Sequence, residues 1–266
     1  MNAHPTVQPS NLTVLKLGGE LIDAPADLAR TADAVAAMAR ISRLVVVHGG
    51  GKAIDAELAR RGIAPEKRDG IRVTDAATLD AVVAVLAGTA NTTLVAALAA
   101  RGVKAVGLTG ADASLGLSER VTGMETVNGA VVDPGLVGRP IGQASASLLQ
   151  HLCGEGYVPV IASIGMTSEG ALLNVNADVM AAHVAAISGA ARLLVAGSTP
   201  GVLDAGGNRI DALDTKALEA MLDEGTATAG MIAKLRACQS AREAGVTDVR
   251  IVDGRIDGFE TGTALR

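Results

Sequence analysis

The sequence predicts an α/β protein built as a three-layer α/β/α sandwich with a mostly parallel central sheet. Short runs rich in Val, Leu and Ile alternate along the chain with Ala-rich stretches, which is the pattern of a parallel sheet covered on both faces by helices. The apolar residues, 49% of the chain, are almost all small or aliphatic, with 50 Ala but one Phe, one Tyr and no Trp. Such residues suit helices that pack closely on a buried sheet.

The first half of the chain alternates strands and helices in simple order. The predicted strands cover residues 12–17, 44–48 and 103–108, and glycines follow the first two directly. The predicted helices cover residues 27–39, 52–61 and 75–100, the last with an interruption at Gly88.

The second half begins with a stretch of β character at 121–133, where Asn128-Gly129 is a strong hairpin signal. No linker divides the chain, so we expect a flexible tail at 1–11 and a single domain at 12–266 with one continuous sheet. The remaining predicted elements are helices at 144–155, 177–187, 215–224 and 230–244 and strands at 157–164, 192–196 and 248–252.

Composition and charge exclude several classes of partner. A net charge of −5 and the lack of aromatic residues argue against a nucleic-acid partner, which needs clustered basic residues or stacking platforms. No apolar run reaches the ~18 residues of a membrane helix, and the start of the chain lacks the apolar segment of a signal peptide. Cys153 and Cys238 form no C-x-x-C motif, so a reduced cytoplasmic protein without a membrane partner is expected.

Two glycine clusters follow the first two strands: Gly18-Gly19 after Lys16-Leu17, and Gly49-Gly50-Gly51 after His48. Ligands of parallel sheets sit at the carboxyl ends of strands, where glycine lets backbone N–H groups approach an anion. The alternative is that these glycines only turn the chain from strand to helix. Neither cluster matches a Walker A loop or a Rossmann fingerprint.

Lysine is rare, with 6 Lys against 17 Arg, yet Lys16 and Lys234 each stand close to glycines. A lysine on a buried strand is costly to desolvate unless an anion meets it, although a lysine at a strand end can also reach solvent. Asp178 begins a helix, where it could act as a cap. Arg72 lies in a polar stretch and could bind a carboxylate through two nitrogens. These residues indicate an enzyme that handles anions, such as a phosphotransferase, and do not identify its substrate.

Six segments give the chain a resemblance to the acetylglutamate kinases of the amino acid kinase family. They occur in the family's order and span most of residues 12–266. The segments are Lys16-Leu17-Gly18-Gly19, Val46-Val47-His48-Gly49-Gly50-Gly51, Gly70-Ile71-Arg72-Val73-Thr74, Leu86-Ala87-Gly88-Thr89-Ala90-Asn91, Leu173-Asn174-Val175-Asn176-Ala177-Asp178 and Gly230-Met231-Ile232-Ala233-Lys234.

The resemblance implies ATP-dependent phosphorylation of the side-chain carboxylate of N-acetyl-L-glutamate in arginine biosynthesis, with ATP and Mg²⁺ as cofactors and no metal ligand from the protein. Lys16 and Lys234 would stabilise the transferring phosphoryl group and Asp178 would orient them. The lobe at 12–190 would bind the amino acid and the lobe at 191–266 the nucleotide. Residues implied in substrate binding are Gly50, Gly51, Arg72, Asn174 and Asn176, and in nucleotide binding Gly18, Gly19, Ser198, Gly201 and Met231.

The implied chemistry needs no general base. A carboxylate nucleophile with a reference pKa of about 4.3 is already ionised at neutral pH. The histidines are therefore expected to be structural: His48 ends a predicted strand, and the others stand in no motif.

Two other functions stay open. A kinase for carrier-protein-linked aminoadipate or glutamate in lysine biosynthesis would need a basic docking surface, for which Arg60-Arg61 and Lys67-Arg68 are the nearest candidates. A non-catalytic amino-acid-binding regulator is suggested by the loop at 197–201, which reads Gly-Ser-Thr-Pro-Gly where many relatives carry an acidic residue. The retained lysines argue against it.

The resemblance also bears on assembly. Relatives inhibited by arginine have a long N-terminal helix that joins dimers into a hexamer, and Pro5 and Pro9 disfavour such a helix here. We therefore expect a homodimer without arginine feedback, with the Ala-rich stretch 75–100 as its interface.

Overall fold

The computed structural model describes residues 11–126, 129–142, 144–223 and 229–266. Residues 1–10, which make up nearly all of the expected tail, lie outside this description. The helices are α1 (Pro25–Ala39), α2 (Gly51–Arg60), α3 (Ala76–Val83), α4 (Asn91–Ala99), α5 (Ser147–Gly154), α6 (Ala177–Ser188), α7 (Thr215–Asp223) and α8 (Ala229–Glu243). The strands are β1 (Leu12–Leu17), β2 (Arg43–His48), β3 (Lys67–Arg68), β4 (Ile71–Arg72), β5 (Ala105–Thr109), β6 (Ser118–Arg120), β7 (Met124–Glu125), β8 (Val131–Val132), β9 (Val137–Pro140), β10 (Val158–Ala162), β11 (Ile164–Met166), β12 (Leu172–Val175), β13 (Arg192–Gly197), β14 (Ala212–Leu213), β15 (Asp248–Asp253) and β16 (Gly262–Leu265).

The central sheet has eight strands in the order β14-β16-β15-β13-β1-β2-β10-β5. The six strands from β15 to β5 are parallel, whereas β16 runs antiparallel to β15 and pairs in parallel with β14. The predicted mostly parallel sheet is therefore confirmed. β1 lies between β13 and β2, and this register puts Lys16 beside Val195 and Val47 near the carboxyl end of the sheet.

Helices cover both faces of the sheet because its central strands are apolar at successive positions. Val14 packs in one core with residues of α5, α6, α7 and α8. Its neighbour Leu15 points to the other face and packs in a second core with residues of α1 and α4. Successive strand residues point to opposite faces, so a continuous apolar run predicts this three-layer arrangement.

The predicted helical stretch at 75–100 is continuous but changes geometry in its middle. Asp75 caps α3 by accepting a hydrogen bond from the Thr78 N–H, 2.7 Å away. A π-helical segment, Ala84–Ala90, then leads into α4, so the interruption expected at Gly88 appears as a π-helix rather than a break. The expectation that no apolar stretch reaches the length of a membrane helix is wrong by length and composition alone, because Ala76–Ala99 passes that test, as a buried core helix also does. Val82, Leu86, Leu94 and Leu98 of this stretch are buried in the protein.

The middle of the chain forms smaller sheets beside the main one. β7 pairs with β8 in antiparallel register, which agrees with the predicted hairpin, while its Asn128 lies outside the described residues. The strand predicted at 157–164 is divided at Ser163: β10 stays in the main sheet and β11 pairs with β12 in a four-stranded sheet. This second sheet places Asn174 and Val175 at the entrance to α6.

Candidate active site

A cavity of about 600 Å³ opens at the carboxyl ends of β1 and β2. It is enclosed by both glycine clusters, by the start of α6 and by the small sheets. Nine residues proposed from the sequence for catalysis or binding line it, namely Lys16, Gly18, Gly19, Gly50, Gly51, Arg72, Asn174, Asn176 and Asp178.

Two lysines from distant parts of the chain meet one buried carboxylate, that of Asp178, which lines this cavity together with Lys16. Lys16 Nζ of β1 lies 2.8 Å from Asp178 Oδ1, and Lys234 Nζ of α8 lies 3.3 Å from Asp178 Oδ2. Lys16 and Asp178 are both 5% exposed. Burial raises the pKa of the Asp178 carboxyl, but the charges of Lys16 and Lys234 outweigh this effect and hold the pKa below its usual range. Asp178 is therefore an anion that fixes two cations at one place.

Asp178 can serve both lysines because another residue caps its helix. Asn176 Oδ1 accepts hydrogen bonds from the N–H groups of Asp178 and Val179 at 2.8 and 3.2 Å. The possibility that Asp178 is the cap of α6 is thus wrong. The cap also gives Asn176 a structural role in addition to its place at the cavity.

The two glycine clusters touch each other where β1 and β2 end. A Cβ on Gly19 would lie 2.9 Å from Gly50 Cα and 3.2 Å from Gly51 N, so no larger residue fits there without movement. α2 begins at Gly51, which directs the positive end of its dipole towards the cavity. The arrangement is one in which backbone N–H groups can meet a phosphate.

Replacing Gly19 by alanine should lower the free energy of unfolding by about 1–3 kcal/mol, the usual cost of overpacking. Gly51→Ala is the matched control, because a Cβ there meets nothing within 4 Å and the position begins a helix. Chemical denaturation of both variants measures the difference. Equal stabilities would contradict the contact between the two clusters.

Arg72 is fixed at the cavity wall through one guanidinium nitrogen, while a second nitrogen makes no hydrogen bond within the described residues. Its Nη2 donates to Gly51 O at 3.2 Å and to Asp55 Oδ1, while Lys67 Nζ donates to Asp55 Oδ2 at 2.8 Å. Burial raises the pKa of Asp55, but the hydrogen bonds from Lys67 and Arg72 have the larger combined effect and hold this pKa below its usual range. The Arg72 side chain is only 6% exposed. Its Nη1 is buried and has no hydrogen-bond partner among the described residues. An unpaired buried guanidinium nitrogen is costly, which favours an anionic ligand in this cavity.

Asn174 is oriented through a buried threonine. Its Nδ2 donates to Thr74 Oγ1 at 3.0 Å, and Thr74 Oγ1 donates in turn to Arg72 O at 2.8 Å. Because the nitrogen is used in this way, Asn174 offers a ligand its oxygen, which accepts a hydrogen bond from an N–H group. Thr74 and Asp55 were not singled out from the sequence, since their roles depend on contacts that only the fold creates.

The catalytic candidate Lys234 does not line the cavity, and neither do the three residues proposed for the nucleotide. Gly201 has a φ of 135°, and a Cβ there would lie 2.6 Å from Thr263 Oγ1, so the loop itself requires this glycine. Met231 is partly buried against the core. Ser198 N–H donates to Glu20 Oε1 at 3.3 Å. Glu20 also lines the cavity. Its position directly after Gly18-Gly19 is the sequence feature that indicates this place.

Of the residues that the structure describes, the buried histidines and cysteines form no second reactive centre. Burial lowers the pKa of His48 to about 4, and it lowers the pKa of His183 as well. Cys153 and Cys238 are free and buried. Within the described parts of the chain, no three His, Cys, Asp or Glu residues are grouped to hold a metal ion.

Comparison with known proteins identifies relatives over most of the chain. The profile of the amino acid kinase family matches residues 11–253. The acetylglutamate kinase of Oleidesulfovibrio alaskensis is 41% identical over 216 residues, 80% of this chain and 73% of the relative. That of Methanopyrus kandleri is 38% identical over 260 residues, 96% of this chain and 100% of the relative. The solved structure of smu.665 from Streptococcus mutans UA159 is similar with a TM-score of 0.80 and 25% identity, covering 96% of this chain and 98% of that one.

Proposed function

We propose that this chain, which belongs to the amino acid kinase family, uses ATP to phosphorylate the side-chain carboxylate of N-acetyl-L-glutamate in arginine biosynthesis. One observation carries the proposal: Arg72, whose buried Nη1 has no hydrogen-bond partner among the described residues, lines the same cavity as Lys16 and Asp178, and Asp178 also binds Lys234. A substrate with a carboxylate at each end fits such a site. The amide N–H of its acetylated nitrogen matches the acceptor that Asn174 offers.

The mechanism requires two anions to be brought together. The attacking carboxylate is ionised at neutral pH, so no residue has to remove a proton. Lys16 and Lys234 would neutralise the negative charge of the transferring phosphoryl group, and the glycine N–H groups would hold its oxygens. Positioning and charge stabilisation of this kind supply most of the catalysis in phosphoryl transfer.

The donor set of the cavity fits ATP better than a metal ion held by the protein alone. Gly19 and Gly50 line the cavity without a side chain, so a phosphate can approach their backbone N–H groups. The carboxylates of Asp178 and Asp55 are already paired with lysine and arginine side chains. Mg²⁺ would therefore be held chiefly by the phosphates of ATP, where it lowers their charge.

The nucleotide would lie on the lobe at 191–266, beside Ser198, Gly201 and Met231, with the amino acid on the lobe at 12–190. Lys234 supports this division, because it comes from α8 and reaches Asp178 at the start of α6. Gly18 and Gly19 would contact the phosphates between the two lobes.

A coupled assay with N-acetyl-L-glutamate, ATP and Mg²⁺ tests the function. We expect ADP release with N-acetyl-L-glutamate and much slower release with L-glutamate, whose ammonium group adds a positive charge to a cavity already lined by Lys16 and Arg72. Turnover only with an amino acid attached to a carrier protein would contradict the proposal. Absence of turnover, combined with thermal stabilisation by N-acetyl-L-glutamate alone, would instead indicate a non-catalytic regulator.

The proposal includes a cytoplasmic homodimer joined through the helical stretch Ala76–Ala99. Part of this apolar stretch is exposed, including the small residues Ala84, Gly88 and Thr92. Small residues let helices of two subunits approach closely. Two free, buried cysteines agree with a reducing compartment.

Ala84→Glu should convert the dimer into a monomer, because it places a charge in the proposed interface. Analytical ultracentrifugation is expected to give twice the 26.6 kDa chain mass for the unaltered protein and the single mass for the variant. Ala56→Glu, on the exposed face of α2, is the control and should stay dimeric. A hexamer mass, or a dimer that survives Ala84→Glu, would refute this interface.

A further inference from the structure

A buried polar network lies directly behind the second glycine cluster. His48, at the end of β2, is fully buried. Its Nε2 lies 3.0 Å from Asn91 Nδ2, and its Nδ1 lies 3.1 Å from the carbonyl oxygen of Gly49. Asn91 is also buried and begins α4, immediately after the π-helical segment. The proposed reaction uses neither side chain.

The contacts of Asn91 determine which histidine nitrogen carries the proton. Asn91 Nδ2 donates to the Val160 carbonyl at 2.9 Å, so this atom is the amide nitrogen and not the oxygen. Because Asn91 Nδ2 is a donor, His48 Nε2 must accept its hydrogen bond. The proton of the neutral imidazole ring is then on Nδ1. Nδ1–H consequently donates to Gly49 O. Burial lowers the pKa of His48 to about 4, which keeps the ring neutral near neutral pH.

This hydrogen bond fixes a peptide group whose other end faces the cavity. In a trans peptide the C=O and the N–H point in opposite directions. His48 holds the carbonyl of Gly49 towards the protein interior, so the N–H of the same peptide group, that of Gly50, points the other way. Gly50 lines the cavity that also contains Lys16 and Asp178.

We propose that His48, oriented by Asn91, is a positioning residue that aims the Gly50 N–H at the transferring phosphoryl group. The inference rests on the proposed function for the identity of that group. His48 touches neither substrate, and it acts through the peptide between Gly49 and Gly50.

The π-helical segment supports the same peptide from a second side. Leu86 lies in this segment, and a Cβ on Gly50 would come within 2.9 Å of Leu86 Cδ2. The extra residue of a π-helical turn changes the face on which later residues lie, and such turns are frequent at functional sites. One segment thus provides both the side chain packed over Gly50 and, at its end, the amide that orients His48.

Two substitutions at His48 separate positioning from packing. In His48→Asn the side-chain nitrogen takes the place of Nδ1 and can still donate to Gly49 O. In His48→Gln the side-chain oxygen takes the place of Nε2 and accepts from Asn91 Nδ2, and no donor stands in the place of Nδ1. We expect His48→Gln to lower kcat by about 10²-fold with little change in the KM of either substrate. His48→Asn should retain kcat within about tenfold of the unaltered protein. Equal kcat values for the two variants would overturn the proposal.

The tautomer provides a test that does not depend on activity or on the folding of a variant. The unaltered protein is labelled with ¹⁵N-histidine, and two-bond ¹H–¹⁵N correlations are recorded for its four histidines. We expect one neutral ring protonated on Nδ1 that does not titrate down to about pH 5. An Nε2–H tautomer for His48 would refute the proposal. Failure of the unaltered protein to phosphorylate N-acetyl-L-glutamate would count against the proposed function and leave the tautomer result to decide on the positioning.

Discussion

Lys16→Met should lower kcat by about 10²–10³-fold, the usual loss when one preorganised charge is removed from a transition state. Methionine keeps most of the apolar stem and removes the ammonium group that lies 2.8 Å from Asp178. Only the charge is lost, and Lys234 still neutralises Asp178, so the variant should fold. Steady-state kinetics with N-acetyl-L-glutamate and ATP measure the effect.

Lys104→Met is the matched control for this prediction. Lys104 is exposed, with its ammonium 5.6 Å from the centre of the Tyr157 ring and away from the cavity. Removing its charge should leave kcat unchanged. A Lys16→Met variant that is folded by circular dichroism and retains normal kcat would exclude Lys16 from phosphoryl transfer.

The main sheet could be predicted from the sequence because its central strands carry a strong local signal. β1, β2 and β13 are apolar at most positions and buried at nearly all of them, and glycines follow β1 and β2. β14 has only two residues and was not predicted, nor was β16, which pairs with β14 and with β15. A strand this short has no periodicity of its own, so its pairing is set by the tertiary fold.

The site could be predicted where a charge stands in an unusual place. Lys16 on a buried strand and Asp178 at a helix start were visible in the sequence, because a buried charge requires a partner. The contacts of Asp55, Thr74 and Asn91 could not be foreseen. Each of these residues has an ordinary surface or helix context in the sequence, and its partner lies at least 17 residues away along the chain.

Asp178→Asn should affect stability as well as activity. The substitution leaves Lys16 buried without its counter-charge, and breaking a buried ion pair in this way costs about 3–5 kcal/mol. The ammonium groups of Lys16 and Lys234 would also repel each other and lose their common position, so kcat should fall too. Asp248→Asn is the matched control, because Asp248 pairs with Arg192 and Arg250 near the surface, where an ion pair contributes about 0–1 kcal/mol.

The pH dependence of this stability difference has a defined sign. The pKa of Asp178 is lowered in the folded protein, so its carboxylate stabilises the fold at every pH above the value of the unfolded chain, about 3.9. The stabilisation is lost only as the pH falls through the lower, folded value. Urea denaturation should therefore give the same difference between the unaltered protein and Asp178→Asn at about pH 7 and pH 5, and a smaller one near pH 3. A difference that grows between pH 7 and pH 5 would mean that the pKa of the buried carboxyl is raised, because a folded state that takes up a proton in this range gains stability as the pH falls. The two lysines would then not outweigh the cost of its burial.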